Sequence, residues 1–173
     1  MPDKSKKKKM ATNPFSRKFL FLILAIAISI SIAVIAFIAI SRSGEGVLSG
    51  LSVAIYKPPQ CPCCSEYARY LSSLGARVEV AAIDDTDGLM DRLGVPQDLR
   101  SCHVSIVEGY IVVGHVPADA IKKLLSERPN IKGISLPGMP PGSPGMPGAK
   151  EKPFAIYSFN GSINLFILTS SPP

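Results

Sequence analysis

Hydrophobic positions along this 173-residue chain follow two different rules on either side of residue 50. From Phe19 to Ile40 apolar and small residues run unbroken, with Ser29 and Ser31 the only hydroxyls. As a helix rising about 1.5 Å per residue, this run of 22 spans roughly 33 Å, enough to cross the hydrocarbon core of a bilayer. Beyond residue 50 the apolar positions recur in short periods. Residues 51–57 mix branched and aromatic side chains and stop at Pro58-Pro59, which predicts a strand. From Pro62, the residues Tyr67, Tyr70, Leu71 and Leu74 recur at helical spacing until Gly75. Residues 76–83 alternate as a second strand, and 84–94 read as a short helix whose Asp84, Asp85 and Asp87 suit a turn with a cap at Thr86 better than a hard-cation site. Residues 104–108 and 111–115 flank Gly109-Tyr110 as an antiparallel hairpin. Pro117, Asp119, Ile121, Leu124 and Leu125 outline another helix. Residues 136–148 are too rich in Pro and Gly for regular structure. Two apolar runs around Asn160-Gly161 then predict a C-terminal hairpin, able to fold the Met-bearing loop back over the domain.

Charge sets the direction of the apolar span. Lys4, Lys6, Lys7, Lys8, Lys9, Arg17 and Lys18 precede it against a single acid, Asp3, while Arg42 and Glu45 follow it. Positive flanks stay in the cytoplasm, so the N-terminus is expected inside and the remainder outside, at the cell membrane. A cleaved signal peptide is the competing reading, yet its apolar core is typically about 7 to 15 residues, shorter than this run. The count also changes the meaning of the basic pI of 9.2. Taking the seven leader cations from 19 Lys and Arg leaves 12, and taking Asp3 from 13 acids leaves 12, so the rest of the chain is formally neutral. Nucleic acid is therefore not an expected partner. The membrane is, through Phe19 to Ile40, with the lysines adding affinity for anionic lipid. The expected organisation is a basic leader at 1–18, a transmembrane helix at 19–40, a Ser/Gly tether at 41–50 and one domain at 51–173, long enough for a single core.

Three of the four cysteines fall in Cys61-Pro62-Cys63-Cys64, where the first strand hands over to a helix, and Cys102 precedes His103, one of two histidines. Thiolate sulfur is both the nucleophile of redox chemistry and a ligand for soft metals, so this density points to metal capture or thiol exchange. The order strand, helix, strand, helix, strand, strand, helix resembles that of the thioredoxin fold, giving an α/β domain with an added C-terminal β-hairpin. In that fold the redox motif lies at the first helix's N-terminus, where free N–H groups and the helix dipole favour thiolate. The start of the third strand and the loop after the fourth approach it, which predicts that Cys102, His103 and His115 converge on the cluster.

The CPCC string followed by Tyr67, the stretch 94–125 with its Ser101-Cys102-His103 and Gly114-His115-Val116-Pro117, and the closing LPGMPPGSPGM together resemble the family catalogued as domain of unknown function 411. The resemblance covers residues 53–166. Its members are thioredoxin-like and described as metal-binding, some encoded with bacterial periplasmic copper-resistance systems. By position, the family's clustered cysteines match Cys61, Cys63 and Cys64, its Ser-Cys-His matches 101–103, and its Gly-His-Val-Pro matches 114–117. Pro62 stands where members usually have Gly, Tyr67 where they have Trp, and Val113 where an acid is frequent. None of these departures removes a candidate ligand.

The candidate metal ligands are Cys61, Cys63, Cys64, Cys102, His103, His115, Met139 and Met146. Several thiolates with imidazole and thioether suit Cu(I), while Zn(II) would accept the sulfur and nitrogen but has little use for Met. Each has a plainer alternative. Cys61 and Cys64 could form one structural disulfide, which leaves Cys63 and Cys102 without a role. His103 would point away from Cys102 in a regular strand, and either histidine could simply orient the hairpin. Met139 and Met146 could cover apolar surface. The leading expectation is an extracytoplasmic, membrane-anchored protein that buffers or passes on Cu(I) to a donor or acceptor protein, rather than an enzyme. The alternative is a thiol-disulfide oxidoreductase with Cys61 as nucleophile and Cys64 as resolving thiol. Against it, Cys102 occupies the place where thioredoxins carry a cis-proline. The third reading is a structural anchor or partner-binding module using the Asn160-Gly161 hairpin.

Overall fold

The computed structural model describes residues 14–42 and 46–169, and the chain divides into two units, one before residue 45 and one from it onward. The first is one helix, α1 (Pro14–Arg42). It outruns the apolar span at both ends, taking in part of the expected leader and the first two residues of the expected tether. Pro14 is compatible with the opening turn, where a missing N–H costs nothing. Within it, Phe19–Phe37 is long and apolar enough to cross a membrane by length and composition. Ser29 and Ser31 donate to the carbonyls of Ala25 and Ala27 at 2.8 and 2.9 Å, so both hydroxyls are satisfied without water.

The second unit is a mixed α/β domain. Its elements are β1 (Ser52–Lys57), α2 (Pro62–Ser73), β2 (Arg77–Ala82), α3 (Thr86–Leu93), a 3-10 turn at Gln97–Leu99, β3 (Val104–Val107), β4 (Tyr110–Val113), α4 (Ala118–Glu127), β5 (Gly133–Ser135), β6 (Ala155–Phe159) and β7 (Ile163–Leu168). The seven strands form one sheet in the order β2-β1-β3-β4-β5-β6-β7. β1 runs parallel to β2 and antiparallel to β3, and β4 runs antiparallel to β3 and parallel to β5. The remaining neighbours are antiparallel, β6 turning into β7 across 160–162.

Alternation along the central strands divides the core between the two faces. Val107, Val112 and Ile134 join Tyr67 and Leu71 of α2 and Ile121 and Leu124 of α4 on one face. Val104, Ile111, Val113 and Phe159 meet Met90 of α3 on the other. A sheet covered on both faces fixes strand register strongly, because a slip of one residue would exchange the two sets. Register is what carries the residues before β3 and after β4 to a single place beside α2.

Several local expectations are corrected. The helix after residue 85 is capped by Asp85, whose Oδ1 accepts the Gly88 N–H at 2.7 Å, and not by Thr86, which is its first residue. A carboxylate at this position also faces the positive end of the helix dipole. The hairpin turns at Glu108-Gly109 rather than Gly109-Tyr110, both residues having left-handed φ (49° and 85°), as a tight two-residue hairpin turn requires. Residues 46–50 are not a free tether. Leu48 is buried in the core and donates its N–H to the Leu74 carbonyl at 2.8 Å, because it is one more apolar side chain that the end of α2 can cover. β5 lies outside every predicted element. Three fully buried residues show no alternation, and only their neighbours β4 and β6 make them a strand.

Candidate metal centre

The site begins with how α2 starts. Pro62 occupies its first turn, and Cys61 at the N-cap makes no side-chain capping bond, which leaves that sulfur for other chemistry. Cys64, Tyr67, Ala68 and Leu71 form the buried stripe of the helix at spacings of three and four. Cys64 therefore points inward, whereas Cys63, rotated about 100° from it, stays half-buried at the rim. Cys61 and Cys64 are joined in a disulfide with Cα atoms 5.4 Å apart, and Cys63 and Cys102 are free thiols. Cys61 Sγ and Cys63 Sγ lie 3.5 Å apart.

Opposite this rim, the two ends of the β3–β4 hairpin supply the other donors. Cys102 and His103 immediately precede β3, so the strand rule that would aim them to opposite faces does not apply. Cys102 Sγ lies 3.3 Å from His103 Nδ1 and 3.1 Å from His115 Nε2. Cys64 Sγ sits 3.9 Å from the Cys102 carbonyl oxygen. The donor atoms of Cys61, Cys63, Cys64 and Cys102 all lie within 4.8 Å of one another, and so do those of Cys102, His103 and His115. Cys102 is common to both groups. Four sulfurs and two imidazoles thus converge from positions up to 54 residues apart; once the Cys61–Cys64 disulfide is reduced they form a donor set that could hold a soft metal ion.

Burial gives these groups unusual proton affinities. Burial, then the nearby Cys63, pushes the Cys102 thiol up to about 12, so it is protonated at neutral pH without metal. Burial, then His115, holds His103 down at about 3, and burial lowers His115 against the opposing hydrogen bond to Pro144. Both imidazoles are therefore neutral and have a lone pair to offer. His115 Nδ1 is 2.6 Å from the Pro144 carbonyl, which can only accept, so Nδ1 carries the hydrogen and Nε2 turns its lone pair toward Cys102. The Cys102 S–H donates into that lone pair, and a metal ion would displace this proton. His103 has no comparable tie. Its Nε2 is buried with no hydrogen-bond partner among the described residues.

Tyr67 holds rim and floor together. Its hydroxyl donates to the Val116 carbonyl at 2.8 Å, and its ring packs on both imidazoles, 4.8 Å from His103 and 5.3 Å from His115. Tyr70 accepts the Ala118 N–H at 3.0 Å and ties α2 to the same β4–α4 junction. Helical spacing marks Tyr67 as core, and its position three residues after Cys64 is the signal that it also backs the site. The loop between β5 and β6 closes the other side: Ser101 Oγ donates to the Gly138 carbonyl, and Pro144 receives His115. Pro144 acts through its backbone, which leaves no trace in residue type. Met139 and Met146 ride on this loop, the first exposed and the second partly buried.

The profile of a family described as "Protein of unknown function, DUF411" matches residues 99–146, which include Cys102, both histidines and most of the Pro/Gly loop. No curated protein matches the chain. Among solved structures, two forms of the copper resistance protein CopG superpose on it. Form 1 has 33% identity and a TM-score of 0.64, with 69% of this chain and 97% of that one covered; form 2 has 32%, 0.65, 69% and 98%.

The chain belongs to the DUF411 family.

Within this DUF411 protein the hairpin ends and the start of α2 bring sulfur and nitrogen donors to one place, and the matched loop reaches it through the Pro144 carbonyl. No charged side chain is among the donors, so any cation there is neutralised by thiolates formed as it binds.

Proposed function

We propose that this protein is a membrane-anchored, extracytoplasmic copper-binding protein that buffers or hands on Cu(I), with Cys61, Cys63, Cys64 and Cys102 as sulfur ligands and His115 and His103 as supporting nitrogens. The observation that carries the reading is the convergence of four sulfurs around Cys102 in a chain similar over nearly the whole length of copper resistance proteins. Thiolate and neutral imidazole are soft to borderline donors that suit Cu(I), and Zn(II) is the alternative cargo. Met139 and Met146 are auxiliary thioether donors from the covering loop. The domain order and the pairing of β2, β1, β3 and β4 support a thioredoxin-like frame for residues 51–127, extended by β5 to β7.

α1 is the anchor in this reading, with the lysine-rich leader in the cytoplasm and the cysteine domain outside. A disulfide between Cys61 and Cys64 fits an oxidising exterior. The chemistry of use is then two-electron reduction of that disulfide by an external dithiol, giving two thiols and the oxidised dithiol, followed by metal binding with release of thiol protons. The test is direct. Full-length protein in detergent, reduced with a phosphine under argon, is titrated with Cu(I) against a chromogenic chelator, and with Zn(II) in parallel. Stoichiometric Cu(I) retention that outcompetes Zn(II) is expected; failure to retain Cu(I) would sink the proposal.

The Cys61–Cys64 disulfide also favours a second reading, a thiol-disulfide oxidoreductase with Cys61 as nucleophile. Cys61 is buried, however, which restricts attack by a bulky substrate. Insulin reduction by the wild type and by Cys61→Ser separates the two, equal rates eliminating the enzyme.

A further inference from the structure

The loop at 136–148 is a folded unit rather than a slack connection. Ser143 is buried and donates its hydroxyl to the Pro140 carbonyl at 2.8 Å, Met146 N–H donates to Ser143 at 2.8 Å, and Gly142 N–H to Pro147 at 3.2 Å. Two ties fix its first half to the segment between the 3-10 turn and β3: Gly138 N–H donates to the Arg100 carbonyl at 3.2 Å, and Ser101 Oγ donates to the Gly138 carbonyl.

Its second half rests on α2 at one residue. Gly145 has a left-handed φ of 81°, and a Cβ built there would lie 2.6 Å from Tyr67 N and 3.0 Å from Cys63 O. Both are backbone atoms of a helix packed into the core, so neither can yield cheaply, and any side chain at 145 must lift the loop. The residue before it is Pro144, whose carbonyl receives His115 Nδ1–H.

We infer that Gly145 is a positioning residue for the metal centre: by letting the loop touch the first turn of α2, it holds the Pro144 carbonyl against His115 and so fixes the tautomer in which Nε2 faces Cys102. This rests on the copper-binding reading for its consequence, not for its geometry. A second contact that orients a ligating histidine is commonly worth about 10- to 100-fold in metal affinity. The covering loop then shapes the site through main chain and glycine, besides any thioether its methionines supply.

The experiment compares full-length wild type and Gly145→Ala in detergent, uniformly labelled with 15N. Imidazole 15N shifts in the reduced, metal-free protein read the His115 tautomer, and chelator competition reads Cu(I) affinity. Wild type is expected to show one His115 tautomer, protonated at Nδ1. Gly145→Ala is expected to show a mixture of both and about 10-fold weaker Cu(I) binding or worse. A folded Gly145→Ala that keeps the single tautomer overturns the inference, as does one that loses it while binding Cu(I) as tightly as wild type. Should the variant lose the dispersed amide spectrum of a folded domain, Ser101→Ala decides by the same readouts, since it loosens the loop by removing one hydroxyl. Wild type that binds no Cu(I) while the tautomer responds as expected would discard the copper reading and leave the seat of the loop standing.

Discussion

Cys61, Cys63 and Cys64 come from four consecutive positions at the start of α2, whereas Cys102, His103 and His115 come from both ends of the β3–β4 hairpin. The first group lies at a helix mouth, and two of its sulfurs are already joined. The second is sunk against Tyr67, with both imidazoles fully buried. Rim and floor thus answer to different variables: electrons decide how many thiols the rim offers, while protons decide whether the floor's nitrogens and Cys102 are free. Cys102 alone takes part in both groups, so neither control acts without the other.

The sharpest way to break this division is Cys102→Ser. Removing the shared donor should weaken Cu(I) binding by more than about 100-fold, beyond the range typical of a lost supporting contact, and by more than Cys63→Ser does. Chelator competition on both variants checks it. Equal losses would mean that rim and floor are not joined through Cys102.

Protons test the floor next. Metal-free, His103 has its pKa held at about 3, below the ordinary value near 6.5, so the unfolded chain takes up the proton first as pH falls. Its neutral burial costs nothing above about pH 6.5 and opposes folding progressively between 6.5 and 3, on the order of a few kcal/mol in all at about 1.4 kcal/mol per pH unit. His115 acts in the same direction. Cys102 has the reverse linkage: its raised pKa means stability is lost as pH climbs above the free-thiol value near 8.5. Urea unfolding at pH 7, 5 and 4 should show a steady fall, and a flat profile would remove the floor's proton control.

Electrons test the rim. Opening the disulfide, which closes a loop of only four residues, should cost about 2 kcal/mol by loop entropy, visible as a lower melting temperature in the metal-free protein. Added Cu(I) should recover it only in the reduced form. The smallest effect belongs to the clamp between the two regions. Tyr67→Phe keeps the ring on both imidazoles but removes the bond to Val116, costing about 1 kcal/mol in stability, measured by denaturant midpoint.

The residues that could be read along the chain were those whose signal is local. The apolar run, the Pro62 start of α2 and the strand-like alternation of residues 76–83 each declare themselves within a few positions, because side-chain period follows backbone geometry. The aspartates at 84–87 announced a cap but not which residue would be the cap, since neighbouring oxygens compete for one N–H and the helix start decides between them. β5 stayed hidden because three buried residues have no period of their own.

At the site, residue type nominated the four cysteines and two histidines, because few other side chains bind soft metals. Their meeting depended on strand register: β1 pairing with β3, and β3 with β4, places residues 102 and 115 beside residue 61. The roles of Pro144 and Gly145 belong wholly to the tertiary structure. A carbonyl is the same at every residue and a glycine leaves only space, so their meaning comes from what the packed chain puts next to them.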